Sequence, residues 1–317
     1  MRKAIYAIMF FVILPSSLLG RLGGAGGTFL SRAKGTIAPA MGYAYSAYAK
    51  GIEAIFWNPA GLASVKVASY HITYTQLFAG LRETNLAFVY PLPVGTIGVD
   101  IVASLSGEIL RTTPEAPKGT GDYFTANDYA FGIAFGRNLT DKFSAGFNIK
   151  VVNLNIDKVT SWGIAIDIGA IYNTRTLRNL RFGFSLQNFA RDMTYYGEAL
   201  QYTVEEGERM ATYLSTPFPL PLTFQTGIAI DLIDKTTTKC SFAADLIHPL
   251  DQRVTFGVGI ECILGGKFAI RVGYTGKNNH NFTYGFGILG DHISINYAYE
   301  NHQYLTGEHR LGVNLTI

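Results

Sequence analysis

The chain has 317 residues, 48% of them hydrophobic, 13% aromatic and 15% charged, with a formal net charge of +3 and a mean hydropathy of +0.17. So small a positive excess, without a basic run, excludes a nucleic-acid-binding surface. Beyond the N-terminus no segment has the roughly 18 consecutive apolar residues of a membrane-spanning helix, so this oiliness is housed in some other way.

Residues 1–20 read as a signal peptide: Arg2 and Lys3, an apolar run over 4–14, then Pro15, Ser16, Ser17 and the small Gly20 at the cleavage point. The run is too short to anchor the chain in a bilayer. With no cysteine near the cleavage point, a lipid-modified N-terminus is not expected. Residues 21–66, rich in Gly, Ala and Tyr and without long alternation, read as an N-terminal plug segment rather than wall. Over 67–317 the pattern changes to period two. Phe268, Ile270, Val272 and Tyr274 alternate with Lys267, Ala269, Arg271, Gly273 and Thr275. The same beat returns at Phe282, Tyr284, Phe286, Ile288, at Ile293, Ile295, Tyr297, Tyr299, and at Leu311, Val313, Leu315, Ile317. Strands are expected at 67–75, 83–90, 95–105, 126–136, 143–153, 161–172, 180–188, 222–232, 238–247, 253–263, 267–275, 281–289, 292–300 and 308–317. These are about fourteen segments, each near the length of a tilted membrane strand.

A strand with one apolar and one polar face stands between two media. The expected fold class is therefore all-β: a closed antiparallel transmembrane β-barrel of about 14 strands with a small N-terminal plug. A secreted soluble β-protein, a sandwich or solenoid whose apolar faces meet each other, is the alternative. In the barrel reading the opposite face lines the lumen with Asp100, Lys150, Asp167, Arg181, Gln187, Asp231, Asp245, Arg253, Glu261, Lys267 and Arg271. Arg or Lys on the lipid face near the midplane would cost about 2–4 kcal/mol, so the shared phase of these charges carries meaning. They read as solvated or mutually paired lumen residues, with a substrate-selecting constriction as the alternative. Glu261 and Lys267 flank Leu264-Gly265-Gly266 and are expected to pair across it.

The long connections 106–125 and 189–221 fall on one parity, together with 276–280 and 301–307. The other parity holds Pro91-Leu92-Pro93-Val94, Leu264-Gly265-Gly266 and Gly290-Asp291. Bacterial barrels alternate short periplasmic turns with longer external loops, which places the N-terminal segment and Ile317 on the periplasmic side. The 189–221 connection carries Tyr195, Tyr196, Tyr202, Tyr213 and the run Pro217-Phe218-Pro219-Leu220-Pro221. It is expected to fold over the pore mouth, a sticky external lid being the alternative. Cys240 and Cys262 lie on consecutive strands joined near Asp251 and face each other in a symmetric register. They read as two small apolar wall residues, with a cross-strand disulfide as the alternative. The six histidines, His71, His248, His280, His292, His302 and His309, show neither metal-ligand spacing nor a nucleophile motif beside them. No phosphate-cradling glycine motif opens a helix. No enzymatic activity, cofactor or metal is expected.

The closing Gly312-Val313-Asn314-Leu315-Thr316-Ile317 resembles the terminal signal by which the barrel-assembly machinery receives outer-membrane barrels. It departs in the aliphatic Ile317, where an aromatic is usual, and in the apolar Leu311, where a polar residue is usual. Upstream, Met41-Gly42-Tyr43-Ala44-Tyr45-Ser46-Ala47 and Glu53-Ala54-Ile55-Phe56-Trp57-Asn58-Pro59-Ala60-Gly61-Leu62-Ala63 resemble the N-terminal signature of the PorV/PorQ family, within the wider group of FadL-like outer-membrane barrels. The likeness continues through Pro91, Gly95 and His309-Arg310, and Lys50-Gly51-Ile52 departs from it where relatives often place acidic residues. Physically, Pro59 fixes its own φ and pushes Asn58 out of the helical region, freeing the Asn side chain to cap the turn.

The resemblance implies a bacterial outer-membrane location. It also implies a plug or hatch motif made of Trp57, Asn58, Pro59, Ala60, Gly61 and Leu62, unless that stretch merely launches the first strand. Of the two functions it implies, the favoured one is PorV-like: assisting type IX-like secretion by binding the C-terminal domains of cargo and escorting them to the surface. The alternative is a FadL-like channel for hydrophobic small molecules. The expected partners are outer-membrane lipid, the barrel-assembly machinery, and either secretion components and cargo or a hydrophobic ligand.

Overall fold

The computed structural model describes residues 24–204, 209–212, 215–276, 281–302 and 306–317; the expected signal peptide, Tyr213 and His280 lie outside them. The period-two segments form fourteen long antiparallel strands. They are β1 (Ser69–Gln76), β2 (Arg82–Leu92), β3 (Gly95–Leu105), β4 (Ala126–Asn138), β5 (Phe143–Ile156), β6 (Val159–Asn173) and β7 (Arg181–Ala190). The second half supplies β8 (Thr223–Asp234), β9 (Thr238–Pro249), β10 (Thr255–Leu264), β11 (Phe268–Thr275), β12 (Asn281–Leu289), β13 (Ile293–Glu300) and β14 (Glu308–Thr316). Each strand pairs with its sequence neighbour, β6 pairs with β7, and β14 pairs with β1 from Ser69↔Thr316 to Gln76↔His309. No edge is left, which is the condition for a sheet to sit in hydrocarbon without unpaired backbone groups. Among the described residues no helix is long and apolar enough to cross a membrane.

The alternation resolves into an outside and an inside. Tyr70, Ile72 and Tyr74 of β1, Phe268, Ile270 and Val272 of β11, and Tyr284, Phe286 and Ile288 of β12 all point outward and are exposed. Their neighbours His71, Thr73 and Thr75 point inward and are buried. The Phe, Tyr and Ile rows meet no second sheet, so the soluble sandwich is set aside: an apolar belt around a closed barrel is a surface for lipid, and the fold is that of a transmembrane β-barrel.

The short turns gather at one rim and the long connections at the other. On the loop rim one hairpin is tight: β5 and β6 run on to a two-residue turn at Asp157-Lys158, with Asp157 in the left-handed region at φ 53°. Arg111 of the 106–125 connection holds that turn through Asp157 Oδ1 at 2.7 Å, and its hydrogen bond keeps the Asp157 carboxyl below the usual range. The two ends of the 191–222 connection, 191–195 and 215–222, fold inward over the lumen. Met193 and Phe218 pair their backbones, Phe218 packs on Tyr195 with ring centroids 5.1 Å apart, and Gly26 N donates to Pro219 O at 2.9 Å.

Three expectations change. Cys240 and Cys262 are directly opposed in the β9–β10 ladder, their Cα atoms 4.1 Å apart, and form a disulfide rather than two free wall residues. Lys267 is exposed in the β10–β11 turn and does not pair with Glu261. The hairpin centres on Gly266, so Glu261 stands opposite Arg271 and bonds to it at 2.6 Å. Arg253 is also exposed outside the lumen, because β10 begins only at Thr255.

Candidate functional site

Residues 24–66 fill the lumen. They enter beneath the 191–222 connection, cross the barrel and leave at the turn rim to begin β1, folding into short helical turns at Thr28–Ser31, Ile37–Ala40, Ile52–Phe56 and Pro59–Ser64. Their apolar side chains, among them Phe29, Met41, Tyr45, Ile55 and Leu62, form most of the protein's buried core. The core of this protein is therefore inside the cylinder, between plug and wall.

Wall glycines make that fit. A Cβ on Gly146 of β5 would lie 2.5 Å from both the carbonyl carbon and oxygen of Pro59, and one on Gly136 of β4 would lie 2.5 Å from the same oxygen. Glycine at these positions lets the backbones of plug and wall touch.

The Trp57–Leu62 stretch forms the elbow at this seat. Asn58 is extended (φ −143°, ψ 98°), as the following proline requires, and its Oδ1 accepts from Ala60 N at 3.1 Å. Its Nδ2 donates to Ser46 O at 2.7 Å, to Phe184 O of β7 at 3.2 Å and to Ala170 O of β6 at 3.3 Å. One buried side chain thus fastens the elbow to itself, to the rest of the plug and to two wall strands.

The inward polar residues divide by task. Asp245 accepts from the backbone of Tyr45 at 3.0 Å and of Ser46 at 2.7 Å, and Gln225 joins it at 2.7 Å while also donating to Tyr43 O. Glu261 receives Arg271, the Tyr48 hydroxyl and Lys50, the last at 3.0 Å. The basic Lys50 is thereby matched by a wall carboxylate. Gln187 donates to Trp57 O at 2.5 Å. These residues latch the plug.

Others serve the wall. Lys150 and Asp167 form a buried pair at 2.7 Å, joined by Asn188, which sits in a β7 bulge at φ 61°. Asp100 accepts from Asn148 at 2.7 Å, and Arg181 pairs with Asp231 at 2.5 Å. Sequence reading missed Glu300 and Arg310, which bond Tyr43 OH and Ala33 O of the plug at 2.6 and 3.2 Å. Their inward phase was the available signal.

Between plug and wall runs a cavity of about 40 Å³, lined by Leu30, Tyr43, Phe56 and Trp57 on the plug and by Gln187, Gln225, Ile247 and Thr255 on the wall. Trp57 meets Tyr43 edge to face at 5.7 Å, and its indole N–H donates to Lys34 O at 3.0 Å. A dry cavity that holds benzene measures about 150 Å³, so an apolar ring would enter only if these side chains or the plug gave way.

No protein-family model and no curated protein sequence matches the chain. Solved outer-membrane barrels share its fold. The toluene transporter TbuX of Ralstonia pickettii superposes with a TM-score of 0.60 at 16% identity, covering 90% of this chain and 98% of that one. The monoaromatic hydrocarbon channel CymD gives a TM-score of 0.63 at 14% identity over 89% of this chain and 97% of that one. A FadL homologue of Pseudomonas aeruginosa gives 0.56 at 11% identity over 90% and 99%. The chain thus shares the fold of these channels, a closed barrel with its N-terminal segment inside.

Proposed function

We propose that the protein is a non-enzymatic channel that admits hydrophobic small molecules through the outer membrane, with residues 24–66 as its hatch. The observation that carries this reading is the cavity between plug and wall, where Tyr43, Phe56 and Trp57 of the plug face Ile247 and Thr255 at the loop end of the wall. The solved barrels that share the fold include a toluene transporter and a monoaromatic hydrocarbon channel, which supports the same class of cargo. The secretion reading rested on the Trp57–Ala63 signature. Trp57, Asn58, Ala60 and Leu62 are buried and engaged in seating the plug, which leaves them no surface for a cargo domain.

Trp57 can report on its own cavity. The other tryptophan, Trp162, lies 59% exposed on the outer face, so a Trp162→Phe chain fluoresces from Trp57 alone. Titrated in detergent with bromobenzene, a heavy-atom quencher of the proposed cargo class, that chain should show saturable quenching. Quenching that rises linearly with quencher and never saturates would contradict a binding site at this place.

A further inference from the structure

We propose that Glu300, His302 and Glu308 form a divalent-cation site of the zinc-binding kind at the loop rim, and that the bound ion ties the outer ends of β13 and β14 to the plug. The site stands apart from the cavity, and nothing in it depends on what the channel carries. Glu300 ends β13, Glu308 begins β14, and the two are paired across the ladder; His302 follows Glu300 by two residues. One ligand atom from each of the three lies within 4.8 Å of the others. A set of that span can close around one ion with metal–ligand distances of roughly 2.0–2.2 Å.

Two buried atoms point to a ligand independently of the clustering. Glu300 is 1% exposed, and while its Oε2 accepts from Tyr43 OH at 2.6 Å, its Oε1 has no hydrogen-bond partner. The His302 Nε2 lies 3.2 Å from Glu308 Oε1, with side chains 10% and 12% exposed, close enough to pair when the imidazole is protonated but without hydrogen-bond geometry. A buried oxygen and a buried imidazole nitrogen left without hydrogen bonds in one cluster cost free energy that a shared cation would recover.

The surroundings orient this set. Arg310 binds the Oε2 of Glu308, leaving Oε1 toward His302, and its guanidinium stands 3.9 Å from the Oε2 of Glu300. With a neutral imidazole, as a metal ligand must be, one guanidinium against two carboxylates leaves the site net negative, and Arg310 and Tyr43 act as outer partners that fix the ligand rotamers. The imidazole favours zinc over magnesium or calcium, which prefer all-oxygen shells. Sequence spacing hid the site because its ligands come from two strands that meet only in the hairpin. Since Glu300 also holds Tyr43, an ion here would stiffen the plug's attachment at the outer mouth.

The test uses the full chain, purified in detergent without a polyhistidine tag and stripped with a chelator, then loaded with zinc and desalted for elemental analysis. About one zinc per chain should be retained, with His302→Ala and Glu308→Gln each weakening binding at least tenfold while β-sheet circular dichroism stays unchanged. Failure of the stripped wild-type chain to retain zinc would overturn the proposal. So would equal retention by His302→Ala, or magnesium and calcium competing as well as zinc.

Discussion

Gly146→Leu should unseat the plug. A Cβ at this position would stand 2.5 Å from the Pro59 carbonyl, and the neighbouring atoms are backbone, which cannot turn aside as a side chain would. Overpacking of a filled core ordinarily costs about 1–3 kcal/mol, but here the added branches collide with the one element that closes the lumen. The expected result is a barrel that still inserts but conducts small ions in planar bilayers, where the wild type stays closed. Trypsin should also cleave it at the plug basic residues Lys34 and Lys50, the first of which is 7% exposed in the closed state. Ala244→Leu, on the outward phase of β9, serves as the control for added bulk alone. A Gly146→Leu protein that remains closed and trypsin-resistant would mean that the plug tolerates displacement and that the glycine contacts do not seat it.

Asn58→Ala should produce the largest loss of stability from a single side chain in the plug. It strips the carbonyls of Ser46, Ala170 and Phe184 of a buried donor and removes the cap from Ala60 N. Losing the cap costs about 1 kcal/mol. The lost bonds from the two N–H groups to the three carbonyls add to this, for a total of about 2–4 kcal/mol. Thermal unfolding in detergent would show a drop of several degrees relative to wild type, and Asn58→Asp, which keeps the cap but turns a buried carboxylate oxygen toward the three carbonyls, should lose at least as much. An Asn58→Ala protein with an unchanged unfolding temperature would show that the elbow is not fastened as described.

How much of this was legible beforehand follows from what period two can and cannot encode. It placed β3 and β12 at their observed bounds and most other strands within three residues, because alternation between lipid and lumen is enforced along every wall strand. The same phase brought Asp100, Lys150, Asp167, Asp245, Glu261 and Arg271 to the inside. It overreached at Arg253 and Lys267, where the alternation runs past the strand ends into turns and no longer reports a face. It also set Cys240 opposite Cys262, although only the structure settles that they are bonded.

The plug was legible as a different kind of segment but not as a path. Its turns are irregular, and its contacts, such as Tyr43 with Glu300 and Tyr48 with Glu261, join residues more than two hundred positions apart. The Asn58-Pro59 elbow could be reasoned locally, because proline restricts its neighbour whatever the fold. What the elbow does could not. A motif that seats a plug is compatible with any task performed by a plugged barrel, so the signature does not separate transport from secretion, and its burial supports the channel reading proposed above.

The central claim is that apolar molecules pass this barrel by way of the plug–wall interface. The most direct test is uptake of radiolabelled toluene by cells with an intact lipopolysaccharide layer, lacking their own hydrophobic channels and expressing this protein. Saturable uptake well above that of vector-only cells, suppressed by filling the cavity through Ile247→Trp, is the result expected. Uptake no faster than in vector-only cells, or faster uptake that Ile247→Trp leaves unchanged, would contradict it.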